Sequence, residues 1–216
     1  MKKQEMAYDI HGSPHPVTDH RNDNMGAKFG LWVFLFTEII MFGILFLLFA
    51  IYFYRHADIF AASSGNLNVW LGGTNTVILL VSTYTMGLAT MKMQQENIRT
   101  SAVLVGITAI LSVIFLVIKA VEWYVDIQHG LYPGSEILAA MEKGDILFFG
   151  LYFVMTGIHG LHVIIGIALM CWTLVRINGG GIVPTHMVAM KNVTLYWDFV
   201  HLIWIVLFPL FYMIGA

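Results

Sequence analysis

The chain alternates long apolar runs with short polar breaks, and five of the runs are long enough to cross a bilayer. They lie at about 29–54, 69–91, 101–125, 146–175 and 193–215. A hydrocarbon core about 30 Å thick takes roughly 20 helical residues. Each run is expected to be helical, because a lone strand in lipid leaves its backbone groups unpaired. The fourth, "ILFFGLYFVMTGIHGLHVIIGIALMCWTLV", exceeds a perpendicular span, so it tilts or emerges into water at one end. The expected fold class is an all-α integral membrane protein, a bundle of five transmembrane helices. It forms one domain over 29–215 behind a polar tail over 1–28.

The tail, with "HGSPHPVTDHRNDNMGAKFG", places His11, His15 and His20 among turn-forming residues and reads as a mobile segment rather than a metal site. It lacks an apolar core, so no cleavable signal peptide is expected, and insertion falls to the first span. "RINGGGIVPTH" reads as a flexible inner loop, since three consecutive glycines hold a helix poorly.

Lysine and arginine set the direction. Lys2, Lys3, Arg21, Lys28, Lys92, Arg99, Arg176 and Lys191 fall on the N-terminal side, against Arg55 and Lys143 opposite, a bias of eight to two. The N-terminus is therefore expected in the cytoplasm and the C-terminus outside. Tryptophans favour the membrane interfaces. Trp32, Trp172 and Trp197 fall near inner ends and Trp70 and Trp123 near outer ends, while Trp204 lies deep and reads as core.

Composition narrows the class further. Of 216 residues, 58% are hydrophobic and 11% charged, where a soluble domain carries about 25% charged. A net charge of -2 offers no basic excess for nucleic acid. The single cysteine, Cys171, excludes an intramolecular disulfide and cysteine-rich zinc or iron–sulfur sites, and reads as a small apolar residue.

Ionisable groups inside the spans are the candidate chemistry, since each costs on the order of 2.5–3.5 kcal/mol to insert. They are Glu38 in the first span, Lys119 and Glu122 in the third, His159 and His162 in the fourth, and Asp198 and His201 in the fifth. At about 1.5 Å per residue, Glu38, His159, His162, Asp198 and His201 can share one layer, with Lys119 and Glu122 nearer the outer surface. Spacing of three puts Lys119–Glu122, His159–His162 and Asp198–His201 each on one helix face. Lys119 and Glu122 read as an ion pair at the membrane edge, with a lipid-headgroup contact or a proton exit as competing readings. The histidines read as interhelical hydrogen-bond partners, with Gly157 and Gly160 allowing close approach. Haem ligation by this same-face pair is disfavoured. Asp198 with His201 is either a proton relay or a polar clasp, and the residue chemistry alone leaves both open.

Five motifs, one per span and in order, then carry a resemblance: "GLWVFLFTEIIMFG", "TNTVILLVSTYT", "FLVIKAVEW", "TGIHGLHVIIG" and "YWDFVHLIWIVLF". Over roughly residues 26–215 the chain resembles subunit III of the haem–copper terminal oxidases, which include cytochrome c oxidases and quinol oxidases. It looks like the short, five-helix bacterial form. The resemblance implies a non-catalytic subunit of the bacterial inner membrane with no haem or copper of its own. Those cofactors are expected in the partner redox subunit, subunit I, with subunit II and membrane phospholipids as further partners.

The implied role is indirect: to stabilise subunit I and hold phospholipid near its oxygen and proton entry routes in a proton-pumping oxidase. Trp32 and Glu38 match the family's aromatic and polar positions, with Thr37 where many relatives have serine, and take an implied lipid-associated or structural role. Family members commonly read "YWHFVD" where this chain reads "YWDFVH", so Asp198 and His201 are expected to form an interior clasp with donor and acceptor exchanged. A cytochrome c oxidase is expected, with a quinol oxidase as the alternative. A nitric oxide reductase cluster is a further possible setting. Readings from other classes are a stand-alone proton transporter, which lacks duplicated halves, and a haem b anchor using His162 and His201.

Overall fold

The structure, a computed structural model, describes residues 6–8, 14–16 and 20–215, with side chains described from residue 25 onward. The five expected spans are helices: α1 (His20–Arg55), α3 (Val69–Gln94), α4 (Ile98–Gln128), α6 (Lys143–Asn178) and α7 (Val188–Tyr212). Two short helices, α2 (Ala57–Ser64) and α5 (Glu136–Ala139), sit in the connections. The stretches apolar enough to span run Met25–Arg55, Val69–Gln94, Ile98–Gln128, Lys143–Asn178 and Val188–Tyr212. The chain is a multi-pass membrane protein.

Boundaries differ from the expected ones chiefly because helices run past the lipid-facing stretch into polar sequence. α1 starts at His20, inside the expected tail, since "HRNDNMGAK" holds no proline to stop it. The tail also pairs β1 (Met6–Tyr8) with β2 (Pro14–Pro16) antiparallel, Ala7 opposite His15. His11 lies outside the described residues. α6 has 36 residues, about 54 Å at 1.5 Å each, so the fourth span is as overlong as its sequence suggested.

Helix ends follow local chemistry. The Asn68 side chain accepts from the Trp70 and Leu71 amides at the start of α3, and Asn97 from the Thr100 amide at the start of α4. These oxygens satisfy amides that the first helical turn leaves without a partner. Between α3 and α4, Glu96 takes a left-handed φ of 62°, which closes a hairpin within three residues.

α3, α4, α6 and α7 form the bundle, with α3 packed along α4 and α7 central. α1 leans on α7 and α6 from outside. Apolar residues point every way on these helices, so large ring-on-glycine contacts set the packing. The Trp197 ring lies against Gly166, where a Cβ would come within 2.8 Å of it. Tyr212 and Phe208 lie likewise against Gly72, and Ile59 of α2 against Gly144. Trp197 is fully buried and donates to Ser82 Oγ at 3.2 Å, so it is core rather than interfacial. Trp32, Trp70 and Trp172 are exposed. Trp204 is buried, as its depth suggested, and donates to Thr76 Oγ1 at 3.0 Å.

Candidate functional site

The interior holds two polar centres. One, the outer under the orientation that the lysine and arginine bias predicts, is built on α4, where Lys119, Glu122 and Asp126 share a face and are 6%, 2% and 5% exposed. Lys119 Nζ donates to Glu122 Oε2 (3.2 Å), Tyr152 OH (2.8 Å) and Tyr212 OH (2.6 Å). All three ammonium protons are therefore used. Tyr212 OH donates to Glu122 Oε1, and Tyr152 OH lies 3.0 Å from Glu122 Oε1 and 3.3 Å from Asp126 Oδ2. The expected Lys119–Glu122 pair is present, closed off by tyrosines from α6 and α7. Those tyrosines lie 33 and 93 positions from Lys119, so no local pattern could have pointed to them. Asp126 had a signal that went unused, since it follows Glu122 by one helical turn.

The inner centre joins α1 to α6. Glu38 Oε2 lies 3.0 Å from His162 Nε2, though among the described residues it makes no aligned hydrogen bond. His162 Nδ1 lies 2.8 Å from the Ile158 carbonyl oxygen. Tyr196 OH, from α7, donates to the His162 carbonyl at 3.0 Å. The Phe42 ring meets the imidazole edge-on at 5.6 Å between centroids.

Three expected members of this layer behave differently. His159 is 1% exposed, its ring 5.3 Å from that of Trp204 and edge-on to Phe115 at 5.8 Å. Among the described residues neither of its nitrogens has a hydrogen-bond partner, and the same holds for His201. Asp198 is exposed. The expected Asp198–His201 clasp is not formed, because residues three apart are about 60° apart around the helix and the edge of the bundle passes between them. Of the two glycines beside His159, Gly157 takes the Trp123 ring, whereas Gly160 has open space. Trp32 is 62% exposed.

The Trp204 ring lies between Lys119, 5.6 Å from its Nζ, and the His159 ring. Beside the inner centre, α1, α6 and α7 enclose an open apolar groove of about 490 Å³. Leu31, Phe34, Ile165, Trp172, Val193 and Tyr196 line it, with Arg176 5.7 Å from the Trp172 ring. Among the described residues, no three His, Cys, Asp or Glu side chains converge as metal ligands.

Against known families, the model of cytochrome c oxidase subunit III matches residues 9–216. The chain belongs to that family. Its expected subunit III character is thus shown, and family members hold no redox centre of their own. The chain is similar to cytochrome bo(3) ubiquinol oxidase subunit 3 of Buchnera aphidicola subsp. Schizaphis graminum, 28% identical over 194 residues, 87% of this chain and 94% of that protein. It is also similar to the protein of that name from Pseudomonas aeruginosa, 28% identical over 205 residues, 92% of this chain and 90% of that one. Cytochrome c oxidase subunit 3 of Thermostichus vulcanus is 29% identical over 204 residues, 92% of each chain. The family thus includes relatives named for either electron donor.

Proposed function

We propose that this chain is the non-catalytic third subunit of a proton-pumping haem–copper terminal oxidase in a bacterial inner membrane. It stabilises the redox subunit, subunit I, in contact also with subunit II, and holds phospholipid near the oxygen and proton entry routes. The observation that carries the reading is the apolar groove between α1, α6 and α7, beside a bundle in which Lys119 pairs with Glu122 and Glu38 faces His162. An acyl chain suits that groove. Trp172 and Arg176 at its rim suit an interfacial headgroup. The lysine and arginine bias supports an N-terminus in the cytoplasm, and with it this rim at the inner leaflet. Relatives named for cytochrome c and for quinol support either donor, whose binding belongs to other subunits.

The experiment is to tag the C-terminus, solubilise the membrane gently, and record spectrum and composition of what co-purifies. The reading expects haem and copper in a larger partner, lost from this subunit once it is stripped away alone. Phospholipid is expected to stay with the complex and to fall when Leu31→Trp fills the groove. A colourless protein purifying by itself, or a stripped subunit that keeps a bis-histidine haem spectrum, overturns it.

A further inference from the structure

We propose that Asp126, beside Tyr152 and Glu122 in the last turn of α4, is a proton-binding site that holds a carboxylic acid rather than a carboxylate at neutral pH. The inference starts from a count of hydrogens. Lys119 Nζ has three, and they go to Glu122 Oε2, Tyr152 OH and Tyr212 OH, so none is left for Asp126. The Tyr212 hydroxyl directs its hydrogen to Glu122 Oε1. The Tyr152 hydroxyl has one hydrogen and two carboxylate oxygens before it, Glu122 Oε1 at 3.0 Å and Asp126 Oδ2 at 3.3 Å. That hydrogen fills the shorter contact. The longer one would press a phenol lone pair against an anionic oxygen, unless Asp126 brings a hydrogen of its own. As an acid, Asp126 donates to the Tyr152 oxygen, which also accepts from Lys119 and passes its own hydrogen to Glu122. Each of these contacts then has one donor and one acceptor.

Charge gives the same count. One ammonium and two carboxylates, all buried, leave one negative charge in excess when every group is ionised. The ammonium pairs with Glu122, and among the described residues no lysine, arginine or histidine pairs with Asp126. The groups within electrostatic reach of Asp126 are Lys119, Glu122 and His129 of its own segment, Tyr152 from α6 and Tyr212 from α7. His129 is the C-cap of α4 and is exposed, where water and salt screen its charge. A buried carboxylate without a counter-charge is costly, and two carboxylates that share one donor relieve that cost by taking up a proton. A polar recess of about 530 Å³, lined by Gln128, Tyr132, Ser135 and Glu136, opens at the same helix end and keeps water near the site.

The test is solid-state NMR at neutral pH of the full chain in the complex with which it purifies, labelled at ¹³C-aspartate, ¹³C-glutamate and ¹⁵N-lysine. Asp126, Glu122 and Lys119 are assigned through their losses in Asp126→Asn, Glu122→Gln and Lys119→Met. The expected result is a neutral-acid carboxyl for Asp126 beside an ionised Glu122 and a charged Lys119. An ionised Asp126 overturns the proposal, and so does a neutral Lys119 amine. In Lys119→Met the centre has lost its cation, and the Glu122 signal is expected to become that of the neutral acid as well. An ionised Glu122 in that variant overturns the charge count. If the variant fails to assemble, the wild-type signals still decide.

Discussion

Replacing Lys119 by methionine is the sharpest test of the outer centre. The ammonium makes three hydrogen bonds, at 3.2, 2.8 and 2.6 Å, and all of its partners are nearly inaccessible to solvent. Methionine keeps much of the length and apolar stem but leaves Glu122 and Asp126 with tyrosine hydroxyls as the donors in reach. Breaking a buried pair by removing one partner costs about 3–5 kcal/mol. Removing both charges is a different perturbation. In Lys119→Met with Glu122→Gln, the tyrosines still find an amide oxygen, and no unbalanced Lys119–Glu122 charge remains. The double variant should therefore recover about 2 kcal/mol or more relative to the sum of the singles.

The assay is the denaturant midpoint for loss of this subunit from the purified complex, measured for wild type, both singles and the double. Midpoints convert to free energy where the slope is shared. A loss below about 1 kcal/mol for Lys119→Met, the scale of an exposed pair, would falsify the closed network. Strict additivity of the two substitutions would refute the pairing while leaving the burial intact.

Two comparisons test the packing and the edge of the bundle. Gly166→Ala should destabilise by about 1–3 kcal/mol, because its Cβ meets the Trp197 ring, whereas Gly160→Ala, with nothing within 4 Å, should be silent in the same midpoint assay. A silent Gly166→Ala would mean that α6 and α7 are not in close contact there. Asp198→Asn should change the midpoint by no more than about 0.5 kcal/mol, since Asp198 is exposed and makes no hydrogen bond or ion pair among the described residues. A larger loss would restore the clasp with His201, or place a partner subunit on that face.

Much of the inner centre could be read from periodicity and depth. Glu38 at mid-span and His162 one turn inward from His159 were expected in one layer, and they meet at 3.0 Å. Asp198 and His201 show the limit of the same reasoning. Helical spacing says which residues share a side, to within the 60° that separates positions three apart. Where the bundle ends around α7 is decided by α3, α6 and α1 packing on it, and that edge leaves His201 inside and Asp198 out. Trp197 was placed at the interface by its nearness to a helix end, yet Gly166 makes a seat for it and Ser82 an acceptor. Neither is visible from position 197 alone.

By itself the sequence determined the membrane class, the five spans, the family and the Lys119–Glu122 pair, because each rests on local length, on spacing within one helix, or on motifs in order. Only the tertiary structure decided that Tyr152 and Tyr212 close over that pair, that Trp204 stands between Lys119 and His159, and that α1 meets α6 through Glu38. In helices apolar all round, no face is marked as inward by hydrophobicity. The faces that meet are chosen by where rings find glycines and polar groups find partners on other helices, and that choice belongs to the assembled bundle.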